Sequence, residues 1–288
     1  MKLGINLLCL TDFVTEAHLP ALRQIKSLGY DGVEVPVLSG DPTHYAWLGR
    51  ELDAIGLERC TTSIIPTPDV SPISPDAATR AAGQRHLDWS LDCAIALGAQ
   101  SVGGPIHAPI GHFTGTGPTE SELSFGAEAH HALAVRAQAN GIYLSLEHLN
   151  RFETYFLNTT AQCRDYARRV DHPALRIMYD TFHANIEDRD QVEAYEIVAP
   201  HVGIVHISEN DRGIPGRGHI DFGAIMGAVR RSGYDGWVTL EAFGAGLPAI
   251  AAATRVWRPL FPDYDTLFSE SADFIRRTWD MAGRDMAA

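Results

Sequence analysis

The chain of 288 residues is 45% hydrophobic, enough to bury a large core. Its length suits one α/β barrel or two smaller domains, and a single domain over 1–288 is the expectation. The 23 Lys and Arg against 36 Asp and Glu leave a formal charge of -13, a field that repels polyanions. The densest basic sites are only the pairs Arg168-Arg169 and Arg230-Arg231, so nucleic acid is not an expected partner. No apolar run approaches the roughly 20 residues of a membrane span. The opening Met1-Lys2-"LGINLLCL" is too short and too lightly charged for a signal peptide, so the expectation is a cytoplasmic protein with no membrane partner.

In chain order, "KLGINLLCL" (2–10) reads as a first strand and "TEAHLPALRQIKSLG" as the helix after it. Strands two to four are "GVEVPVL" (32–38), "RCTTSII" (59–65) and "SVGGPIH" (101–107), separated by the helical patterns "HYAWLGRELDAIG" and "SPDAATRAAGQRHLDWSLDCAIALG". The helix "SELSFGAEAHHALAVRAQANG" leads to strand five, "IYLSLEH" (142–148), and "TTAQCRDYARRV" leads to strand six, "LRIMYD" (175–180). "DQVEAYEIVAP", "VGIVHIS" (202–208), "DFGAIMGAVRRSG", "GWVTLEAF" (236–243) and "TLFSESADFIRRTWDMAG" complete the alternation.

Several helices stop at a glycine followed at once by a strand, as in "SLGYDGVEV", "AIGLERC", "ALGAQSVGG", "ANGIYLSLE" and "RSGYDGWVTLE". A short helix-to-strand loop needs a left-handed residue, which glycine supplies without a side-chain clash. Eight such units in about 280 residues predict a (β/α)8 TIM barrel in the α/β class. The four cysteines, Cys9, Cys60, Cys93 and Cys163, have no paired spacing and read as free thiols.

Active sites of such barrels lie at the C-terminal ends of the strands. Strand five ends at Glu147, where the apolar run should close over a core; strand six ends at Asp180, strand seven reaches His206 and strand eight ends at Glu241. Three unpaired carboxylates in one basin would repel one another, and a divalent cation resolves the conflict. Three oxygen donors and one imidazole suit Mn²⁺, Mg²⁺ or Co²⁺, with Mn²⁺ placed first, and leave coordination positions open for substrate.

These residues sit in longer motifs. "EHLNRFE" (147–153), "DTFHANIE" (180–187), "HISENDR" (206–212), "GRGHIDF" (216–222) and "LEAF" (240–243) resemble the ketose 3-epimerases, within the xylose-isomerase-like barrels. The likeness runs through the chain to "RVWRPLF" (255–261). It implies that Glu147, Asp180, His206 and Glu241 ligate a metal and that Glu153, His183 and Arg212 hold the substrate; Glu147 and Glu241, on the non-adjacent strands five and eight, are placed to flank the substrate as the catalytic acid/base pair. Glu34, ending "GVE" on the second strand, matches a family acid and serves equally as a partner behind the ligands. The substrate implied is a free ketose of the D-tagatose, D-fructose, D-psicose or L-ribulose type, and the assembly implied is a homodimer or homotetramer. The first strand departs from the family: it reads "INLLCLTDF", with no Trp and its aromatic delayed to Phe13, which leaves the contacts to C4 to C6 of the sugar open.

Epimerisation at C3 removes a proton beside a carbonyl and returns one to the opposite face through a cis-enediolate, so it needs charge stabilisation and two bases. Hydroxypyruvate isomerases and inosose isomerases or dehydratases share the metal quartet and form the alternative reading. A non-catalytic sugar-binding barrel would not need both glutamates. Endonuclease IV-like barrels require an acid-x-His pair where this chain has Arg217-Gly218-His219. The Gly-rich "FGAGLPA" (243–249) leaves phosphorylated substrates open, although no basic residue follows before Arg255. His107 and His112 read as loop histidines near the substrate entrance.

Overall fold

Period-two alternation gives each strand two different faces. In β5 (Tyr143–Glu147), Leu144 and Leu146 join the main apolar core, whereas Tyr143, Ser145 and Glu147 occupy the opposite face. Glu147 therefore continues the alternation as the last member of a polar series and does not interrupt an apolar one. The computed structural model, which describes residues 1–285, closes eight parallel strands into a barrel in the order β1-β2-β3-β4-β5-β6-β7-β8. The others are β1 (Lys2–Asn6), β2 (Gly32–Pro36), β3 (Glu58–Thr62), β4 (Ser101–Gly104), β6 (Leu175–Asp180), β7 (Val202–Ile207) and β8 (Trp237–Leu240).

Two cores follow from this geometry. The large one lies between barrel and helices. A separate cluster of Cys60, Met178, Ile204 and Trp237, one each from β3, β6, β7 and β8, fills the barrel interior. Met178 and Ile204 stand two residues before Asp180 and His206, and Trp237 four before Glu241, so parity places all three of these strand-end residues above this plug.

The helices are α1 (Leu19–Ser27), α2 (Pro42–Ile55), α3 (Ala77–Leu97), α4 (Glu120–Ala139), α5 (Thr160–Val170), α6 (Thr181–Glu187), α7 (Gln191–Val198), α8 (Phe222–Arg231), α9 (Pro248–Thr254) and α10 (Tyr264–Asp285). Gly29, Gly56, Gly98, Gly141 and Gly233, the five glycines read as helix stops, all have positive φ. No helix among the described residues is long and apolar enough to cross a membrane. All four cysteines are free and buried.

β2, β3, β4 and β8 stop at Pro36, Thr62, Gly104 and Leu240, short of their expected ends, and three further departures change the local structure. The first strand stops at Asn6, because the Asn6 side chain accepts the Leu8 N–H and turns Leu7–Cys9 into a 3-10 helix. "DTFHANIE" is a helix, α6, capped by Asp180, whose Oδ1 accepts the His183 N–H at 2.8 Å. The segment after "FGAG" folds as α9, with Pro248 in its first turn.

α2 and α3 approach closely at Gly49, where an added Cβ would lie 2.6 Å from the Leu97 carbonyl oxygen. Backbone cannot yield there as a side-chain tip can. Gly49→Val is expected to lower stability by about 1–3 kcal/mol, read as a fall in the urea midpoint; an unchanged midpoint would mean that the two helices do not meet at this residue.

Candidate active site

The strand ends bring four side chains from four consecutive strands to one point. Glu147 ends β5, Asp180 ends β6, His206 lies one residue before the end of β7, and Glu241 follows directly on β8. One ligand-type atom from each lies within 4.8 Å of all the others, and all four residues are buried. The adjacency is set by register, since Asp180 pairs with His206 and Ile207 with Leu240.

Unsatisfied atoms mark what this cluster is built for. Asp180 Oδ2 and His206 Nδ1 are buried without a hydrogen-bond partner. They stand 3.6 Å apart, with His206 Nδ1 also 3.3 Å from Glu241 Oε1. His206 Nε2–H donates to Glu34 Oε2 at 3.0 Å, which turns Nδ1 towards Asp180 and Glu241. A carboxylate behind an imidazole and orphaned donor atoms in front of it fit a divalent cation held by oxygen and nitrogen.

The electrostatics show the same conflict. Burial, reinforced by the negative charge of Glu241, pushes the Glu147 carboxyl well above its usual range. Burial would depress His206, but Glu34 and Glu241 outweigh it and hold the imidazole well above its ordinary value. Burial also opposes ionisation of Glu241, yet His206 and Arg212 keep it ionised, below the normal carboxylate range.

The residues expected to hold substrate converge on this cluster. His183, on the first turn of α6, is buried rather than a surface helix-start histidine, and its Nε2 is 3.6 Å from Glu147 Oε1. Its Nδ1 accepts the Asn150 N–H at 3.0 Å, which makes Nε2 the protonated nitrogen; burial and the nearby Arg212 keep the ring neutral. Arg212 is only 4% exposed and pairs with Glu241 through Nη1, so it is no solvated loop charge. Glu153 accepts from Asn150 Nδ2 at 2.8 Å and faces Arg212 Nη2 at 3.8 Å. Arg151 turns away to Glu187, with 2.8 Å between Nη2 and Oε2.

Two functional neighbours escaped the sequence reading, and one was misplaced. Asn6 is buried and donates through Nδ2 to Glu241 Oε1 at 3.2 Å and to Glu34 Oε1 at 3.4 Å, linking the two acids. Ser208 Oγ lies 3.3 Å from Arg212 Nη1. The signal for Asn6 was available: it is a polar residue at inward parity at the end of an apolar strand. His107 is not an entrance histidine: it is fully buried, its ring 5.5 Å from that of Phe156, and Nε2 bonds the Glu147 carbonyl oxygen at 3.0 Å. Burial first, with neighbouring histidines, pulls its pKa to about 3, so it is a neutral donor. His112 is exposed, and Phe13 stacks on His44 with ring centroids 4.2 Å apart.

Comparison with known proteins accords with this geometry. The profile of the xylose isomerase-like TIM barrel family matches residues 22–278. A ketose 3-epimerase of Arthrobacter globiformis is 32% identical over 284 residues, covering 96% of both chains. A solved L-ribulose 3-epimerase superposes with a TM-score of 0.92 at 29% identity, covering 99% of this chain and 96% of the other. A D-allulose 3-epimerase from Methylomonas sp., solved in complex with D-allulose, gives 0.90 at 27% identity, with 96% and 97% covered. The chain belongs to the xylose isomerase-like TIM barrel family and, within it, to the ketose 3-epimerases.

Proposed function

We propose that the protein inverts C3 of a free ketose of the D-tagatose, D-fructose/D-psicose or L-ribulose type, using a divalent cation, Mn²⁺ in first place and Mg²⁺ or Co²⁺ as alternatives. Glu147, Asp180, His206 and Glu241 would hold the ion. When bound, it supplies positive charge beside the substrate carbonyl, where negative charge develops as the C3 proton leaves. The observation that carries the reading is two buried glutamates, Glu147 and Glu241, at the ends of the outer pair of four consecutive strands, with Asp180 and His206 between them. Epimerisation needs one base on each face of the reacting carbon, and a quartet used only for binding has no need of a second glutamate.

In this mechanism one glutamate removes the C3 proton and the other returns one to the opposite face of the cis-enediolate, with the roles exchanged in the reverse direction. His183 and Arg212 orient the substrate. His183 Nε2–H and Arg212 Nη2–H are both donors, yet they stand 3.1 Å apart. Two donors cannot satisfy one another, and a ketose oxygen lodged against both would accept from each. Glu153, behind Arg212, accepts a substrate hydroxyl and limits rotation of the sugar. The protein would work in the cytoplasm on a small molecule, binding neither nucleic acid nor membrane, as one 1–288 domain in a homodimer or homotetramer. Trp257, 71% exposed, is available to such an interface.

Incubation with Mn²⁺ and each ketose in D₂O should yield the C3 epimer with deuterium at C3 and none at C1 by NMR. Label at C1 with aldose formation would make it an aldose–ketose isomerase. Glu147→Gln and Glu241→Gln should each reduce kcat by about 10²–10⁴, and full turnover in either would remove the two-base mechanism. Mn²⁺ at about 100 times its Kd should raise the stability of chelator-treated protein by about 2.7 kcal/mol, seen as a higher Tm. The rise should shrink in Asp180→Asn, and an equal rise there would place the ion elsewhere.

A further inference from the structure

Resting on the proposed epimerase site, we infer that Phe182 and Phe243 are positioning residues for Arg212, holding its guanidinium by cation–π contact in the orientation that meets the substrate. Arg212 adopts a left-handed backbone, φ 67°, one of only three non-glycine residues with positive φ among those described. Such a conformation is unfavourable for a long side chain and persists only where the surroundings impose it.

The polar partners of Arg212 do not impose it alone. Nε has no hydrogen-bond partner, and Nη2 faces the protonated nitrogen of His183. Nη1 pairs with Glu241, itself a proposed metal ligand, and lies 3.3 Å from Ser208 Oγ. The aromatic rings add a hold that does not depend on these partners. The guanidinium carbon lies 3.7 Å from the ring centroid of Phe182 and 4.9 Å from that of Phe243, both inside the range of about 6 Å for cation–π attraction. Phe243 also fixes the backbone: its N–H donates to the Arg212 carbonyl at 2.9 Å, while the Arg212 N–H donates to the Glu209 carbonyl at 2.9 Å.

Sequence placement makes the contact economical. Phe182 stands beside His183 and two residues after Asp180, and Phe243 two after Glu241, so each ring is carried by a segment that also carries a proposed ligand. Because the rings engage the cation through their π faces, the N–H edges of the guanidinium stay available to Glu153, Glu241 and a substrate oxygen. The rings therefore need be aromatic, not merely large.

The test is a double-mutant cycle of Phe182→Leu and Phe243→Leu against Arg212→Met, with Phe182→Tyr as the conservative variant. Each Leu change should lower kcat/KM about 10-fold, Phe182→Tyr should stay close to the parent, and in the Arg212→Met background the Leu changes should cost nothing more. Leu variants equal to the parent, Tyr losing as much as Leu, or the same loss with Met at 212 would each overturn the proposal. Thermal unfolding of the metal-free protein provides an independent cycle. If no ketose is turned over, the epimerase reading fails, while a fall in Tm for Phe182→Leu that vanishes in Arg212→Met still supports the aromatic hold, and an undiminished fall overturns it.

Discussion

The crowding of carboxylates above the barrel plug is the constraint on which the rest of the site depends. Glu147, Asp180 and Glu241 are buried within one small basin, with Glu34 one residue farther back. Each charge would be costly there if unpaired. The neighbouring residues divide the compensation among them: Arg212 pairs with Glu241, His206 bridges towards Glu34, Asp180 and Glu241, and Asn6 donates to Glu34 and Glu241. Glu147, whose nearest partner is His183 Nε2 at 3.6 Å, has its carboxyl pushed up by burial and by the charge of Glu241. At His183 and Arg212 two donors face one another, the complement of the acids gathered opposite them.

Such an arrangement survives only on a stiff frame. β5 to β8 hold their functional residues through paired backbones, and His107 anchors the last carbonyl of β5 from β4's following loop. Loops then add what strands cannot reach. The turn after β7 folds back so that Glu209, itself buried, accepts the Gly216 N–H at 2.8 Å. Gly218 lies so close to Asn210 and Glu209 that a Cβ would sit 2.0 Å from Asn210 Oδ1. This packed turn carries Arg212 to the basin with a left-handed backbone at that residue, whereas none of Glu147, Asp180, His206 and Glu241 has a positive φ.

Much of this was readable because it follows period and punctuation. The five helix-stopping glycines and the alternating strands disclose the barrel, and carboxylates and an imidazole at four strand ends disclose the cluster. What stayed hidden depends on contacts between distant segments. Asn6 carries a local signal in its inward parity, but its partners do not show locally: Oδ1 accepts the Leu8 N–H, while Nδ2 bridges Glu34 and Glu241 from distant strands. His107 reads as a loop histidine beside "APIGH" because only the closed barrel reveals the Glu147 carbonyl next to it. The short helices α6 and α9 lack a long periodic pattern, and α6 is set by the Asp180 cap, a residue that the sequence already occupies with another role.

That double use of Asp180 links fold to chemistry. Its Oδ1 accepts the His183 N–H and starts α6, while Oδ2 remains free for the basin. The helix start thereby places Phe182 and His183 at fixed distances from Asp180, and with them the aromatic face and the imidazole donor that meet Arg212. Replacing Asp180 would not simply remove one donor atom. It would release the first turn of α6, so the side of the basin lined by His183 and Arg212 and the side lined by the acids would loosen together, because one carboxylate sets the geometry of both.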